Sequence, residues 1–133
     1  MSNDAAIDER PASLRILIVD DHPRMRSVLR ITLTRQKAIR VEIVGEAADG
    51  DDAIAATAEL NPDVVLMDVE MPCMNGIEAT RRIASRFPAV YIIGWTSCDA
   101  ASVEAMREAG AAEVLSKDAG LAKLVEALRV ARP

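Results

Sequence analysis

Aromatic residues are almost absent from this chain of 133 residues, which contains one Phe, one Tyr and one Trp. Since half of the residues are apolar, the core must be built mainly from aliphatic side chains. No apolar run approaches the ~18 residues that a transmembrane helix needs, so no membrane association is expected. Residues 1–13 lack the basic start and apolar stretch of a signal peptide. We therefore expect a flexible N-terminal tail, a single domain at 14–133 and a cytoplasmic location.

Cysteine and basic charge are also scarce. Two cysteines, Cys73 and Cys98, are too few for a disulfide framework, and in the absence of an export signal both are expected to be free thiols. A redox role for this pair stays open. The net charge is −5, from 16 basic and 21 acidic residues. This acidic balance argues against direct nucleic-acid binding by this chain, because nucleic-acid-binding surfaces usually carry a basic patch.

Short apolar runs alternate with helical patterns along the whole chain. Three runs, at 16–19, 64–67 and 90–93, are continuously apolar, as expected of strands that are buried on both faces. Two others, at 41–44 and 113–116, contain polar residues and are expected at the edges of the sheet. Five strands that are each followed by a helix predict an α/β domain with a doubly wound parallel sheet. The edge assignments predict the flavodoxin-like strand order 2-1-3-4-5.

Polar side chains follow four of the five predicted strands. Two acids end the first strand and one ends the third, while a hydroxyl and an amine follow the fourth and fifth: Asp20, Asp21, Asp68, Thr96 and Lys117. The carboxyl ends of parallel strands share one edge of the sheet, where ligands bind beside the switch point. Acids gathered there repel each other unless one is protonated or a cation binds, and their hard oxygens suit Mg²⁺ or Mn²⁺. Asp68 is then the natural nucleophile, because a carboxylate can form an aspartyl phosphate.

Each of these residues also has a simpler interpretation. An Asp-Asp pair before a helix commonly caps that helix, and Lys117 alone could be a solvent-exposed surface residue. His22 follows the acids and could pass for a metal ligand, but a solvent-facing position in the capping turn is the simpler explanation. The agreement among four strand ends is what favours the functional interpretation.

Four stretches of the sequence, in their order, resemble the receiver domain of bacterial two-component response regulators. They are ILIVDDHPRMR, PDVVLMDVEMPCMNGIEATRRI, YIIGWTS and AAEVLSKDAG. The resemblance extends over residues 15–130, and MDVEMPCMNGIEA is its most specific part. The DDHP and SKDAG segments are similar to regulators of the NarL/FixJ type, which usually carry a C-terminal helix-turn-helix domain. The chain ends at Pro133 without one, so a stand-alone receiver and part of a transcription regulator both stay open.

The resemblance implies a phosphoryl-accepting signalling switch that catalyses only its own phosphorylation and dephosphorylation. Asp68 would take the phosphoryl group from a phosphohistidine of a sensor histidine kinase. Thr96 would bind the attached phosphoryl group, and Lys117 would pair first with Asp68 and then with the phosphate. Asp21 and Asp68 would bind Mg²⁺ directly, Asp20 would bind it through a water molecule, and the backbone carbonyl of Glu70 would complete the site.

The resemblance also implies a switch in which Thr96 moves together with an aromatic residue three positions before Lys117. That position is Val114 in this chain, which has no ring to bury or expose. We therefore expect the output to depend instead on a shift of the helix at 100–109.

Two further positions are expected to modulate the site. Glu70 and Cys98 lie two residues after Asp68 and Thr96, respectively, and their side chains should overhang the phosphoryl group. We expect them to affect how fast water attacks the phosphoaspartate.

Three other functions stay open at this point. A Mg²⁺-dependent phosphohydrolase would need an acid two residues after a nucleophilic Asp on the first strand, where this chain has His22 and Pro23. A flavodoxin-like FMN carrier would need a loop rich in Ser, Thr and Gly after that strand. A docking module could have kept the acids without using them. Pairing of two copies, through the first and last helices or the fourth and fifth, is compatible with the sequence.

Overall fold

The computed structural model describes residues 13–69, 71, 75–96 and 100–131. The strands within this part are β1 (Leu14–Val19), β2 (Val41–Ala47), β3 (Val64–Asp68), β4 (Tyr91–Thr96) and β5 (Glu113–Ser116). The α-helices are α1 (Pro23–Arg35), α2 (Gly50–Leu60), α3 (Gly76–Arg86), α4 (Ala100–Ala109) and α5 (Leu121–Val130), and a 3₁₀ turn, Lys117–Ala119, joins β5 to α5. Three residues singled out in the sequence lie outside the described residues: Glu70, Cys73 and Cys98.

The strands form one parallel sheet in the order β2-β1-β3-β4-β5. The predicted fold class, strand order and edge strands are therefore confirmed. Val19 of β1 pairs with Met67 of β3, so the next residues along, Asp20 and Asp68, emerge side by side. Thr96 of β4 pairs with Ser116 of β5, which brings Lys117 to the same edge.

Helices cover both faces of the sheet, and each face has its own hydrophobic cluster. Successive side chains of a strand point to opposite faces of the sheet, so alternate residues of β1 belong to different clusters. Ile16 and Ile18 pack on the side of α1 and α5. Leu17 and Val19 pack on the side of α2, α3 and α4. Both clusters are mainly aliphatic, as the composition predicts. Among the described helices, none combines the length and the apolar content that crossing a membrane requires.

Two helices differ from the sequence prediction. The helical spacing of the residues at 25, 28, 29, 32 and 33 predicts one buried face of α1 that includes Val28 with Leu29 and Leu33, but 44% of Val28 is exposed. The buried stripe follows the four-residue spacing of the two leucines, and Val28 lies about 100° away around the helix axis. The Ala-rich segment at 53–60 predicts a helix that starts at 53, but α2 begins at Gly50, about one turn earlier. It does so because the Asp49 carboxylate accepts a hydrogen bond from the N–H of Asp52.

Candidate functional site

Three carboxylates meet at the carboxyl edge of β1 and β3. Asp20 and Asp68 are almost fully buried, with 1% and 2% of their surfaces exposed, while 26% of the Asp21 side chain remains exposed. One ligand atom from each acid and from His22 can be chosen so that all of them lie within 4.8 Å of one another. The structure thus brings together the three acids that the sequence predicted as one cluster. Two buried like charges are costly unless cations compensate them.

Lys117 supplies one positive charge to this cluster. Its Nζ lies 3.2 Å from Oδ2 of Asp20 and 3.5 Å from Oδ1 of Asp68. Burial lowers the pKa of Lys117, but the charges of Asp68 and Asp20 and the hydrogen bonds to them outweigh burial, so the pKa is raised above 10.5. The ammonium therefore lies between two acids and slightly closer to Asp20, whereas the resemblance paired it with Asp68 alone.

A divalent cation fits the remaining charge and donor set. One ammonium faces three carboxylates, and all the acidic ligand atoms are hard oxygens of the kind that Mg²⁺ and Mn²⁺ prefer. Oδ1 of Asp21 is buried and makes no directional hydrogen bond within the described part of the chain. Nδ1 of His22 lies 2.9 Å from this oxygen but not in hydrogen-bond geometry, so a bound cation would be a better partner for the oxygen.

Thr96 and Val114 occupy different parts of the β4–β5 end of the sheet. Thr96 is the last residue of β4, with 1% of its surface exposed, one position beyond the pairing of Asp68 with Trp95. It therefore lies at the same edge as the acids. Val114 packs within the cluster on the α2, α3 and α4 side, opposite Gly94. A Cβ on Gly94 would lie 3.0 Å from the Met106 methyl and 3.2 Å from Val114, so this space is already filled.

Gly76 allows α3 to begin directly against the backbone of the phosphoacceptor candidate. Its N–H donates to the carbonyl of Val69 at 2.9 Å, and a Cβ at this position would lie 2.0 Å from the carbonyl oxygen of Asp68. Asn75 caps the same helix end by accepting a hydrogen bond from the N–H of Glu78 at 3.0 Å. The sequence pattern does not predict this steric role, although an Asn-Gly pair before an apolar periodic segment marks a turn into a helix.

His22 is exposed, as expected of a capping-turn residue, but its ring is directed at the acids. The side chain is 70% exposed, yet Nδ1 lies 2.9 Å from Oδ1 of Asp21 and 3.2 Å from Oδ1 of Asp20. Its position directly after the acids was the available signal in the sequence.

Arg26, near the start of α1, binds the backbone at the end of β1. Its Nη1 donates to the backbone carbonyl of Asp20 at 2.6 Å, and its Nε donates to Glu46 at 2.9 Å. Burial raises the pKa of Glu46, but the hydrogen bonds and the charges of Arg30 and Arg26 lower it by more. The pKa of Glu46 therefore lies below 4.5. These contacts connect α1, the end of β1 and β2 beside the carboxylates. The sequence does not predict them, because the residues come together only in the folded chain.

Residues 16–129 match the response regulator receiver domain family. Response regulator GacA of Pseudomonas viridiflava is 38% identical over 120 residues, which cover 88% of this chain and 54% of GacA. The chain spans about half the length of the curated relatives that it matches.

Solved structures agree with this match. A two-component response regulator of the LuxR family from Aurantimonas sp. SI85-9A1 aligns with a TM-score of 0.79 and 36% identity, over 91% of this chain and 88% of that one. The isolated REC domain of RcsB from Salmonella enterica serovar Typhimurium, solved in the presence of the phosphomimetic BeF3−, aligns with a TM-score of 0.79 and 26% identity. That alignment covers 89% of this chain and 87% of the RcsB chain.

Proposed function

Since the chain belongs to the family of response regulator receiver domains of two-component signalling, we propose that Asp68 accepts a phosphoryl group from a phosphohistidine of a sensor histidine kinase. The observation that carries this proposal is the position of Asp68. It is a buried carboxylate at the carboxyl edge of the sheet, 3.5 Å from the ammonium of Lys117 and beside two further acids. A buried nucleophile among fixed charges is the arrangement that phosphoryl transfer requires.

Mg²⁺, or Mn²⁺ in its place, is the cofactor that this site fits. Asp20, Asp21 and Asp68 would hold the ion, and this assignment is supported by the buried oxygen of Asp21 that accepts no hydrogen bond from the described residues. When bound, the ion offsets the repulsion between the incoming phosphoryl group and the acceptor carboxylate. A further ligand, the backbone carbonyl of Glu70, is proposed from the family resemblance alone and lies outside the described residues.

The residues around Asp68 have separate roles in the transfer. An oxygen of Asp68 forms the new bond to phosphorus while the bond between phosphorus and the kinase histidine breaks, and the imidazole leaves with the electron pair. Lys117, whose raised pKa keeps it protonated near neutral pH, stays beside the acceptor and stabilises the negative charge of the phosphoryl oxygens. The hydroxyl of Thr96 donates to one of those oxygens after transfer.

Phosphorylation would then change the surface that a partner or output domain contacts. A phosphoryl group adds roughly −1.5 to −2 charges, and a hydrogen bond from Thr96 to it would pull the end of β4 inward. Val114 and Met106 lie against Gly94 two residues before Thr96, so a shift of β4 would be transmitted to α4 through these contacts. We assign the switch to Thr96, Val114 and α4.

The decisive experiment is intact-protein mass spectrometry after incubation with Mg²⁺ and a small phosphoryl donor. The wild type is expected to gain one phosphoryl group, and Asp68→Asn is expected to gain none, because the amide cannot act as the nucleophile. Asp51→Asn, at an exposed position in the first turn of α2, is the matched control and should be phosphorylated like the wild type. Unreduced phosphorylation of Asp68→Asn would contradict the assignment of the acceptor.

The remaining assignments concern partners and location. We propose that residues 14–133 act as the receiver unit, in the cytoplasm, with a histidine kinase as partner and with pairing of two copies as a second interaction. Catalysis is limited to the chain's own phosphorylation state, so no steady turnover of small phosphoesters is expected. DNA binding would belong to an output domain outside this chain, which agrees with its net charge of −5.

The lifetime of the phosphoaspartate is expected to depend on Glu70 and Cys98. Both positions follow the site residues Asp68 and Thr96 by two, and both lie outside the described residues. Glu70→Ala and Cys98→Ala should each change the rate of phosphoryl loss several-fold, measured by the decay of the phosphorylated mass in time. Equal decay in the wild type and both variants would contradict this role, and Glu59→Ala, on α2, serves as the control.

A further inference from the structure

The backbone around His22 is fixed by its neighbours on both sides. Pro23 begins α1 and restricts the preceding residue, and His22 accordingly has an extended backbone, with φ −100° and ψ 110°. The N–H of His22 donates to Oδ1 of Asp20 at 2.9 Å, which closes a turn over two residues. The imidazole is therefore carried on a rigid turn that also holds one of the metal-binding carboxylates.

The side chain of His22 takes no part in capping α1. His22 occupies the N-cap position, where Ser, Thr, Asp or Asn usually bond to the first backbone N–H groups, but it makes no such bond. Its Nδ1 lies instead between two acids, 2.9 Å from Asp21 and 3.2 Å from Asp20. Helix capping therefore does not explain the direction of the ring.

The separations around Nδ1 match those between neighbouring ligands of an octahedral ion. Metal–ligand bonds of about 2.1 Å place adjacent ligand atoms about 3.0 Å apart and opposite ones about 4.2 Å apart. The distances from Nδ1 to Asp21 and Asp20, 2.9 Å and 3.2 Å, are close to the separation of adjacent ligands. The ligand atoms of the whole set, including Asp68, lie within 4.8 Å of one another, slightly more than the separation of opposite ligands. A small contraction around an ion would complete the geometry.

A hydrogen bond from the ring does not account for both contacts. Nδ1 has an acceptable hydrogen-bond direction toward Asp20, whereas Oδ1 of Asp21, which is closer, remains without a directional hydrogen bond among the described residues. In the tautomer protonated at Nε2, the lone pair of Nδ1 would face the oxygens of both acids, and a cation shared by the three atoms would satisfy them together. The ring is 70% exposed, so Nε2 can carry the proton while Nδ1 presents its lone pair.

We propose that Nδ1 of His22 is an additional ligand of the divalent ion held by Asp20, Asp21 and Asp68. This inference rests on the metal site of the proposed function and specifies its selectivity. Imidazole nitrogen binds transition-metal ions such as Mn²⁺, Co²⁺ and Zn²⁺ well, whereas Mg²⁺ prefers oxygen and keeps its waters. A receiver with this fourth side chain therefore binds imidazole-accepting ions more tightly, relative to Mg²⁺, than its carboxylates alone would.

The first test compares the affinities of the untagged full chain for Co²⁺ and Mg²⁺ by calorimetry. His22→Ala is expected to weaken Co²⁺ binding on the order of tenfold or more and to change Mg²⁺ binding by about twofold or less. Because the side chain makes no capping bond, this substitution should leave α1 intact. Ser27→Ala, an exposed position one turn further along α1, is the control and should change neither affinity.

The second test detects the nitrogen ligand directly. His22 is the single histidine of the chain, so any imidazole signal at the metal belongs to it. Pulsed electron paramagnetic resonance of the Mn²⁺ complex is expected to show nitrogen modulation in the wild type and none in His22→Ala. Addition of excess Mg²⁺ should displace Mn²⁺ and remove the signal, which identifies the site as the one that Mg²⁺ uses.

The outcomes separate this inference from the proposed function. Equal Co²⁺-to-Mg²⁺ affinity ratios in the wild type and His22→Ala, with no nitrogen modulation, would overturn the role of His22 and leave the Mg²⁺ site intact. An equal loss of affinity for both ions would also overturn it, because the turn and not the nitrogen would then be responsible. If the wild type binds neither ion, the proposed metal site itself fails.

Discussion

Gly76→Ala is expected to lower the free energy of unfolding by about 3 kcal/mol or more and to weaken divalent-ion binding in parallel. The added Cβ would lie 2.0 Å from the carbonyl oxygen of Asp68 and 2.9 Å from the Cα of Val69. Both neighbours are backbone atoms, so the overlap can be relieved only by displacing α3 from the end of β3. Because Asp68 is the proposed acceptor and a proposed metal ligand, that displacement should disturb the site together with the fold.

The sign of this effect is opposite to what helix propensity predicts. Alanine in place of glycine within an exposed helix normally stabilises by about 1 kcal/mol. Gly94→Ala is the matched control, since its added Cβ would meet only side-chain atoms of Met106 and Val114, at 3.0 Å or more. Urea unfolding of both variants should show the larger loss for Gly76→Ala. A stability of Gly76→Ala equal to or above the wild type would contradict the close approach of α3 to Asp68.

Lys117→Met is expected to lower the free energy of unfolding without metal by on the order of 3 kcal/mol, because it removes the ammonium that lies between two buried acids. Lys117 contacts Asp20 and Asp68, whose side chains are 1% and 3% exposed, respectively. Mg²⁺ should restore part of the loss, so the stabilisation by Mg²⁺ is expected to be larger in Lys117→Met than in the wild type. Thermal and urea unfolding with and without Mg²⁺ measure both effects.

The pH dependence of this difference follows from the raised pKa of Lys117. A raised pKa in the folded state means that the stabilisation is fully present below the unfolded value of 10.5 and is lost as the pH rises through the folded value. The gap between the wild type and Lys117→Met should therefore be constant near neutral pH and narrow above about pH 10.5.

An exposed lysine provides the control for Lys117→Met. Lys123→Met, on α5, should change stability by no more than about 0.5 kcal/mol. Equal effects of the two substitutions would show that Lys117 does not compensate the acids.

Much of the site could be predicted because its main residues follow strands. The rule that parallel strands end at one edge brings Asp20, Asp68 and Lys117 together without any knowledge of side-chain positions. The contacts that were not predicted, from Gly76, His22 and Arg26, depend on how helix ends approach the strand ends. The periodicity of α1 likewise identified Leu29 and Leu33 as buried but misplaced Val28. The roles of Glu70 and Cys98 stay predictions.

The sequence by itself determined the α/β class, the order of the strands and the chemical types gathered at the sheet edge. It could do so because these properties follow from local hydrophobic periodicity and from general rules of strand connection. Only the tertiary structure decided that Lys117 lies between Asp20 and Asp68, and that the ring of His22 is directed at the acids. Such distances depend on contacts between residues up to 97 positions apart in the chain, which no local pattern encodes.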